Sequence, residues 1–300
     1  MQDMILYHYC DNKALESIIK NKQLWMTDIS NSNDYNEVQL FNPQLFYDIE
    51  ELYKNAPFEL SFQNKVDFKA LKDLLILINN CITRIFDNGY LTSFVSCLCE
   101  DGDVLSQWRG YANDGKGCSI GFSREELLRF CNNSDGMIRF SKVKYVSEQQ
   151  LDMIIKKEAE RICNIIRERK YDNDAVLFLD LYNMIEETLL NSLVYKKDGF
   201  QEELEWRLFF CKSIKEIQYE NSKIDESDRN LDYLNKIDFI TKDDLITSYY
   251  PLDLDALSAQ PIKSIYLGPK SRVRTIDLKM MLEKYGVNGV KVNRSKISYC

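Results

Sequence analysis

The sequence contains a single histidine, His8, and this scarcity excludes several kinds of site. Zinc and iron sites built on two histidine ligands require a second imidazole that the chain lacks. Nine cysteines are present, but no two are spaced as Cys-x-x-Cys, so we expect no structural metal site. Any histidine chemistry must therefore use His8, whose unperturbed pKa lies near neutrality.

The sequence also lacks a surplus of basic residues and any long apolar run. It has 39 Lys and Arg against 47 Asp and Glu, a net charge of −8. Binding to a long nucleic-acid duplex needs a basic surface, so we do not expect it. No run of about 18 apolar residues exists, so no membrane span or membrane partner is expected. The residues Met1-Gln-Asp-Met4 lack the basic start of a signal peptide, and we expect a cytoplasmic protein.

What is present is an ordinary globular composition, with 300 residues of which 45% are hydrophobic. This length favours a single domain that spans residues 1–300. Runs rich in β-formers are separated by irregular helical segments, which predicts an α+β fold rather than regular βαβ winding. Residues 147–198 have apolar side chains near helical spacing, and we interpret them as a helical insertion between strands.

The clearest local signal is the motif Glu203-x-Glu205-x-Arg207. On a strand these three side chains would share one face. Two neighbouring carboxylates repel each other unless a cation lies close, and Arg207 or a cationic substrate would serve. Such carboxylates could stabilise a developing positive charge and act as a base. An exposed strand face with alternating charges explains the spacing equally well.

Two further segments carry candidate site residues. His8 lies in a predicted first strand. It is either a site residue or a structural histidine that makes one hydrogen bond. The segment Gln107-Trp108-Arg109-Gly110-Tyr111 could stack a flat ring and pair a phosphate through Arg109, or could be a simple packed helix. The three tryptophans, Trp25, Trp108 and Trp206, lie in or beside the motif segments, which suggests parts of one site.

A thiol nucleophile is a rival interpretation of the first strand. Cys10 shares a strand face with His8, so a Cys–His pair is conceivable. Side chains at positions i and i+2 of a strand point in parallel rather than at each other, and no helix N-terminus is evident that would activate the thiol. We therefore favour the carboxylate chemistry.

Seven spaced blocks resemble the bacterial and phage family named domain of unknown function 2971 (DUF2971), and they extend over nearly the whole chain. The blocks are Leu6-Tyr7-His8-Tyr9, Leu24-Trp25-Met26-Thr27, Asn33-Asp34-x-x-Glu37, Phe94-x-Ser96-Cys97, Trp108-x-x-Tyr111 with Gly117-Cys-Ser-Ile-Gly-Phe122, Phe200-x-Glu-Glu203-x-Glu205-Trp206-Arg207, and Ile265-x-x-Gly268. This family is in turn distantly similar to the ADP-ribosyltransferase superfamily. The usual tyrosine of the second motif is not obvious here, since Ser96 and Cys97 occupy that strand.

The resemblance implies a split β-sheet core that binds NAD as a substrate and needs no metal. It assigns catalysis to Glu205, Glu203 and His8. It assigns NAD binding to a wider set of residues, which are His8, Tyr9, Ser96, Trp108, Arg109, Tyr111 and Arg207. The resemblance implies that Glu205 is the catalytic glutamate and Glu203 an additional carboxylate, and it leaves open which of the two is primary.

The expected function is transfer of ADP-ribose to a macromolecular acceptor, a protein or a nucleic acid, or hydrolysis of NAD. Family analogy suggests a toxin or phage-defence effector. The alternative is a non-catalytic module that binds a nucleotide or a partner on the same fold. A third interpretation is a plain interaction protein that uses its acidic surface.

Overall fold

The protein, seen in a computed structural model, folds into a large mixed sheet and several helices. The structure describes residues 3–29, 41, 44–55, 68–87, 91–134, 138–169, 171, 173–213, 236–242 and 245–299. The strands are β1 Ile5–Cys10, β2 Gln23–Asp28, β3 Leu91–Cys99, β4 Cys118–Ser123, β5 Ile138–Lys142, β6 Lys144–Val146, β7 Tyr195–Lys197, β8 Glu205–Ser213, β9 Asp238–Lys242, β10 Leu245–Asp253, β11 Ile262–Leu267 and β12 Lys291–Arg294. The helices are α1 Asn12–Asn21, α2 Gln44–Asn55, α3 Phe68–Asp87, α4 Leu105–Tyr111, α5 Arg124–Asn132, α6 Glu148–Glu168, α7 Asp174–Asn191, α8 Leu254–Leu257 and α9 Thr275–Lys284, with 3₁₀ turns at Ser192–Val194 and Asp198–Glu203.

Ten of the strands form one sheet, in the order β12-β11-β4-β1-β3-β2-β10-β9, with β8 and β5 added beside β3. All its pairs are antiparallel except β11 with β12. The remaining strands, β6 and β7, form a separate parallel pair. A mostly antiparallel sheet with helices of irregular position is an α+β architecture, as the sequence predicts.

The sheet divides at β3. One side of β3 is fully paired with β8, from Leu91 opposite Ser213 to Cys99 opposite Glu205. On the other side, β1 pairs with β3 only at Cys99 and β2 pairs with it only at Phe94 and Val95. The intervening stretch, residues 96–98, therefore borders a gap between β1 and β2. This gap is where the candidate site lies.

The two largest apolar cores of the described residues support the sheet and the helices. The first lies on one face of the sheet, where Leu6, Phe94, Ile120 and Leu208 are buried together with side chains of α1, α5 and α9. The second core is helical and joins α2, α3, α6 and α7, and its members include Ile155 and Leu181.

The region 147–198 contains α6, α7 and β7. Ser147 caps α6 in a reciprocal capping box with Gln150, which explains the sharp start of this helix. The region also ends in a strand, because β7 pairs with β6 and brings Lys196 towards the sheet. None of the helices in the described ranges carries an apolar stretch long enough to cross a bilayer. The block Asn33–Glu37 lies outside the described residues.

Candidate functional site

A small pocket of about 60 Å³ opens beside the gap in the sheet. It is built from β1, β3, α4 and the start of β8, so residues far apart in the sequence meet there. Its lining residues are Tyr7, His8, Tyr9, Cys97, Leu98, Gln107, Tyr111, Glu203 and Glu205. The lone histidine and both candidate glutamates therefore face one pocket. Its volume is well below the roughly 300–1,000 Å³ of typical small-molecule sites. Between His8 and the two glutamates, the described part of the chain forms no hollow of dinucleotide size.

One hydrogen bond fixes the chemical state of His8. Its Nδ1 lies 3.1 Å from the main-chain oxygen of Cys97. A carbonyl oxygen only accepts, so Nδ1 must carry the proton and donate it. The opposite nitrogen, Nε2, is then an acceptor, and no described residue hydrogen-bonds to it. Burial lowers the pKa of His8, more than the bond to Cys97 raises it, so the neutral ring is favoured.

On one side of the pocket, the lining residues Glu203 and Glu205 form a network with Lys196 and Arg207, and we call these four charged side chains the charged wall. Arg207 donates two hydrogen bonds to the Glu205 carboxylate, from Nε to Oε1 at 2.6 Å and from Nη2 to Oε2 at 3.0 Å. Lys196 Nζ lies 2.7 Å from Glu203 Oε2 and 3.5 Å from Glu205 Oε2. Arg207 Nη1 also donates to the main-chain oxygen of Leu193, at 2.8 Å. Two cations thus balance two carboxylates.

The charged wall determines the ionisation of Glu205. Glu205 is only 5% exposed, and burial alone would raise its pKa. The adjacent Arg207 and Lys196 outweigh burial, and the pKa of Glu205 is lowered below its ordinary value. The carboxylate is therefore ionised at neutral pH. The cation that the sequence motif requires is present in duplicate, as Arg207 and Lys196.

The backbone turns sharply between the two glutamates, which corrects the predicted strand. The strand β8 begins at Glu205, and Glu203 ends a 3₁₀ turn instead. The residue between them, Leu204, has φ 44°, a left-handed conformation that costs an L-residue about 1–2 kcal/mol. Leu204 is consequently exposed rather than packed in the core. Strained backbone of this kind is concentrated at functional sites.

Two tyrosines contact the carboxylate end of the pocket. The hydroxyl of Tyr111 donates to Glu203 Oε1 at 3.3 Å. The hydroxyl of Tyr145 accepts from the main-chain N–H of Glu205 at 2.8 Å and so fixes the start of β8. Burial raises the pKa of Tyr145 to about 12, so this hydroxyl is neutral. The predicted pocket residue Tyr111 is in place, and Tyr145 was not predicted.

Trp108 does not reach the pocket, which corrects the prediction that it flanks a bound ring. It is fully buried, and its ring meets that of Tyr9 edge to face with centroids 4.8 Å apart. Its Nε1 donates to Asp103 Oδ1 at 2.8 Å. Tyr9 does line the pocket, and its hydroxyl donates to the main-chain oxygen of Asp101 at 2.9 Å. Trp108 therefore supports Tyr9 from behind.

The remaining predicted residues lie at or outside the margin of the pocket. Ser96 borders the gap in the sheet but is 2% exposed, and its hydroxyl has no hydrogen-bond partner in the described part of the chain. Arg109 lies over the ring of Tyr299, 5.8 Å from its centroid, and does not line the pocket. A direct ligand contact through Arg109 is therefore not supported by this conformation. Arg207 does not line the pocket, but it binds the carboxylate of the lining residue Glu205.

The three tryptophans do not converge on one site. Trp25 stacks on Tyr249 with centroids 4.1 Å apart. Trp206 faces the sheet core, and its Nε1 donates to Glu100 Oε1 at 2.8 Å. With Trp108 buried beside Tyr9, each ring serves local packing. The interpretation of the tryptophans as one constellation was wrong.

Thiol chemistry is not supported by the cysteines near His8. Cys10 points into the core, where its Sγ lies 3.6 Å from that of Cys118. Cys97 does present surface to the pocket. However, the protein packed around the sulfur, which disfavours a thiolate, and the nearby Glu205 carboxylate raise the pKa of the Cys97 thiol well above its ordinary value. A protonated thiol is a poor nucleophile.

A larger cavity, of about 580 Å³, lies elsewhere, beside α5, β5 and α8. None of the predicted site residues lines it. Its carboxylate, Glu126, already accepts bonds from Lys263 and Ser258. The cavity has the volume of a ligand site but shows no reactive arrangement. In the described part of the chain, no three His, Cys, Asp or Glu side chains are grouped as a metal site would need.

Comparison with known proteins gives one match. Residues 107–208, about a third of the chain, match the model of a family described as a protein of unknown function, DUF2971. The resemblance to that family is therefore confirmed over this segment, which contains Gln107, Tyr111 and the whole charged wall but not His8. Neither the curated proteins nor the solved structures include a match to the chain.

Proposed function

We propose that the protein binds NAD at the gap in the sheet and breaks the bond between nicotinamide and ribose, as an ADP-ribosyltransferase-like enzyme. One observation carries the proposal: His8 of the first strand lines the same pocket as Glu205, which begins β8, and Glu203, which ends the turn before it. The division of the sheet at β3 supports the split-sheet fold that the resemblance implies. The pocket residues also fit the substrate, because Nε2 of His8 is an acceptor suited to a ribose hydroxyl.

The chemistry requires an anion close to the reacting ribose. As the bond from C1′ to the nicotinamide nitrogen breaks, its electron pair neutralises the pyridinium and positive charge develops on the ribose. An ionised carboxylate that accepts a hydrogen bond from a ribose hydroxyl stabilises this charge more than it stabilises bound NAD. Glu205 is held ionised for this role, and Glu203, nearer the rim, would take the proton of the attacking water or acceptor.

The small volume of the pocket limits how NAD can bind. Only the nicotinamide end would enter, and the remainder of the dinucleotide would lie along the surface outside. The rim residue Tyr111 is 43% exposed and is held by one hydrogen bond of 3.3 Å, so its ring can move to widen the entrance. A protein or nucleic-acid acceptor, a toxin or phage-defence role and a cytoplasmic location stay predictions from the sequence.

A non-catalytic nucleotide-binding module is the second candidate, and a specific observation favours it. Arg207 occupies both oxygens of Glu205, and Lys196 is shared by both carboxylates. The charged wall is thus neutral as a whole, which weakens its stabilisation of a positive charge. The two candidates agree on binding and differ on turnover.

The test measures NAD binding and nicotinamide release on the same samples. We compare the wild type with Glu205→Gln, Glu203→Gln and the control Glu202→Gln, whose exposed side chain lies outside the pocket. The enzyme proposal expects release that falls by roughly 10²–10³-fold in Glu205→Gln and is unchanged in Glu202→Gln. Binding without release would favour the second candidate, and absence of binding would contradict both.

A further inference from the structure

Gln107 is a largely buried residue whose amide is open to the pocket and has no hydrogen-bond partner among the described residues. It lies on α4, is 7% exposed, and lines the pocket with His8. It makes no hydrogen bond to any residue that the structure describes. A glutamine amide offers two N–H donors and a carbonyl acceptor, and buried groups of this kind are nearly always paired. Its unused donors and acceptor therefore indicate a ligand.

The surroundings of Gln107 favour a flat group that carries no negative charge. The carboxylates of Glu203 and Glu205 line the same pocket, so they would repel an anion there. Three aromatic rings, those of Tyr7, Tyr9 and Tyr111, line the same pocket. Aromatic rings favour flat partners, by stacking or by edge contacts. To pair with the amide of Gln107, the ligand must also carry a hydrogen-bond donor and an acceptor next to each other.

We infer that Gln107 is a specificity-determining residue that recognises a carboxamide on a ring. Its Nε2–H would donate to the ligand carbonyl, and its Oε1 would accept from the ligand N–H. A carboxylic acid in the same place has no N–H for Oε1 and would bring an anion towards Glu203. The inference rests on the proposed function, in which the carboxamide is that of the nicotinamide end of NAD.

The experiment compares binding of nicotinamide with binding of nicotinic acid by ligand-observed NMR. The variants are Gln107→Met, which keeps the length of the side chain and removes the amide, and Gln149→Met, an exposed control on α6. We expect the wild type and Gln149→Met to prefer nicotinamide by at least about tenfold, since sites that hydrogen-bond a ligand reject analogues lacking the group. Gln107→Met should lose this preference.

Thermal unfolding and nicotinamide release from NAD complete the test. Because Gln107 makes no hydrogen bond within the described chain, Gln107→Met should melt at or above the wild-type temperature. A preference for nicotinamide that disappears in Gln107→Met supports the inference, even if NAD is not cleaved and the catalytic part of the proposed function fails. NAD cleavage with the same preference in both proteins overturns the inference and leaves the proposed function standing. Absence of binding by nicotinamide and by NAD overturns both.

Discussion

The two sides of the pocket differ in how their polar groups are satisfied. In the charged wall the carboxylates of Glu203 and Glu205 are paired within the protein, with Lys196 and Arg207. The facing side, which we call the open wall, consists of His8 and Gln107, whose Nε2 and amide have no partner among the described residues. Internal pairing stabilises the fold and fixes ionisation, whereas unpaired groups are available to a ligand. Substitutions in the charged wall should therefore change stability, and substitutions in the open wall should change binding.

The largest expected effect comes from breaking the charged wall at Arg207. Arg207→Met leaves the Glu205 carboxylate buried without its main partner, and we expect a loss of about 3–5 kcal/mol in the free energy of unfolding, measured with urea. The exposed Arg139, which donates to Asn191 Oδ1 at 2.8 Å, is the matched control, and Arg139→Met should cost under about 1 kcal/mol. The double variant Arg207→Met/Glu205→Met should recover part of the loss. Equal losses of unfolding free energy in Arg207→Met and Arg139→Met would contradict the idea that the charged wall stabilises the fold.

The pH dependence of stability tests the same wall at Glu205. Its pKa in the folded protein is lowered, so the folded state binds fewer protons than the unfolded state at acidic pH. The stability that Glu205 contributes is complete above the unfolded pKa of about 4.3 and disappears as pH falls through the lower pKa of the folded protein. Urea unfolding between pH 7 and 3 should show a steeper decline for the wild type than for Glu205→Gln. Parallel curves would remove Glu205 from the ionised network.

On the open wall, His8 should make stability depend on a higher pH range. Its pKa is lowered, so the unfolded state binds the proton first as pH falls below about 6.5. The neutral ring makes its full contribution to the free energy of unfolding above that pH. This contribution declines as pH falls, until the pH reaches the pKa of His8 in the folded protein. His8→Asn can keep a donor to the Cys97 oxygen but does not titrate, so its stability should vary less between pH 6.5 and 5. A wild type as insensitive to pH as His8→Asn would be evidence against a neutral imidazole in the folded protein.

The smallest effect is expected where the two walls meet, at the rim. Tyr111→Phe removes a hydroxyl that makes one 3.3 Å bond to Glu203 and leaves the ring in place. We expect a change in unfolding free energy below about 0.5 kcal/mol. NAD affinity, measured by calorimetry, should change by no more than about threefold. A loss comparable with that of Arg207→Met would mean that the rim belongs to the charged wall.

Local patterns in the sequence predicted the architecture around the site well. The cap of α1 and the β-rich runs follow from side-chain type and spacing, whereas the meeting of His8 with the Glu203–Glu205 motif was expected from the family resemblance. The prediction that Glu203 lies on the strand was wrong, because no residue type in the motif indicates the left-handed backbone at Leu204. A leucine between two glutamates has the alternation of a strand, and the turn is set by tertiary contacts such as Tyr145 with Glu205.

The partners within the site could not be predicted in the same way. Lys196 follows the helices of the 147–198 region, and only the pairing of β7 with β6 brings it to the carboxylates. Whether Trp108 faces a ligand or the core depends on the rotation of a helix of seven residues, too short for apolar periodicity to specify. Gln107, its neighbour, had no distinguishing feature beyond its place in the segment. Its importance arises from an absence of partners among the described residues, which only a structure shows.

The central claim is that NAD enters between the open wall and the charged wall. Because His8 is the only histidine in the chain, its ring gives one resolved set of signals in an NMR spectrum of the whole protein. We predict that the free protein shows a neutral ring protonated at Nδ1 at pH 7, and that added NAD shifts the Nε2 signal in a saturable manner. A ring signal that does not move at saturating NAD concentration would contradict the account.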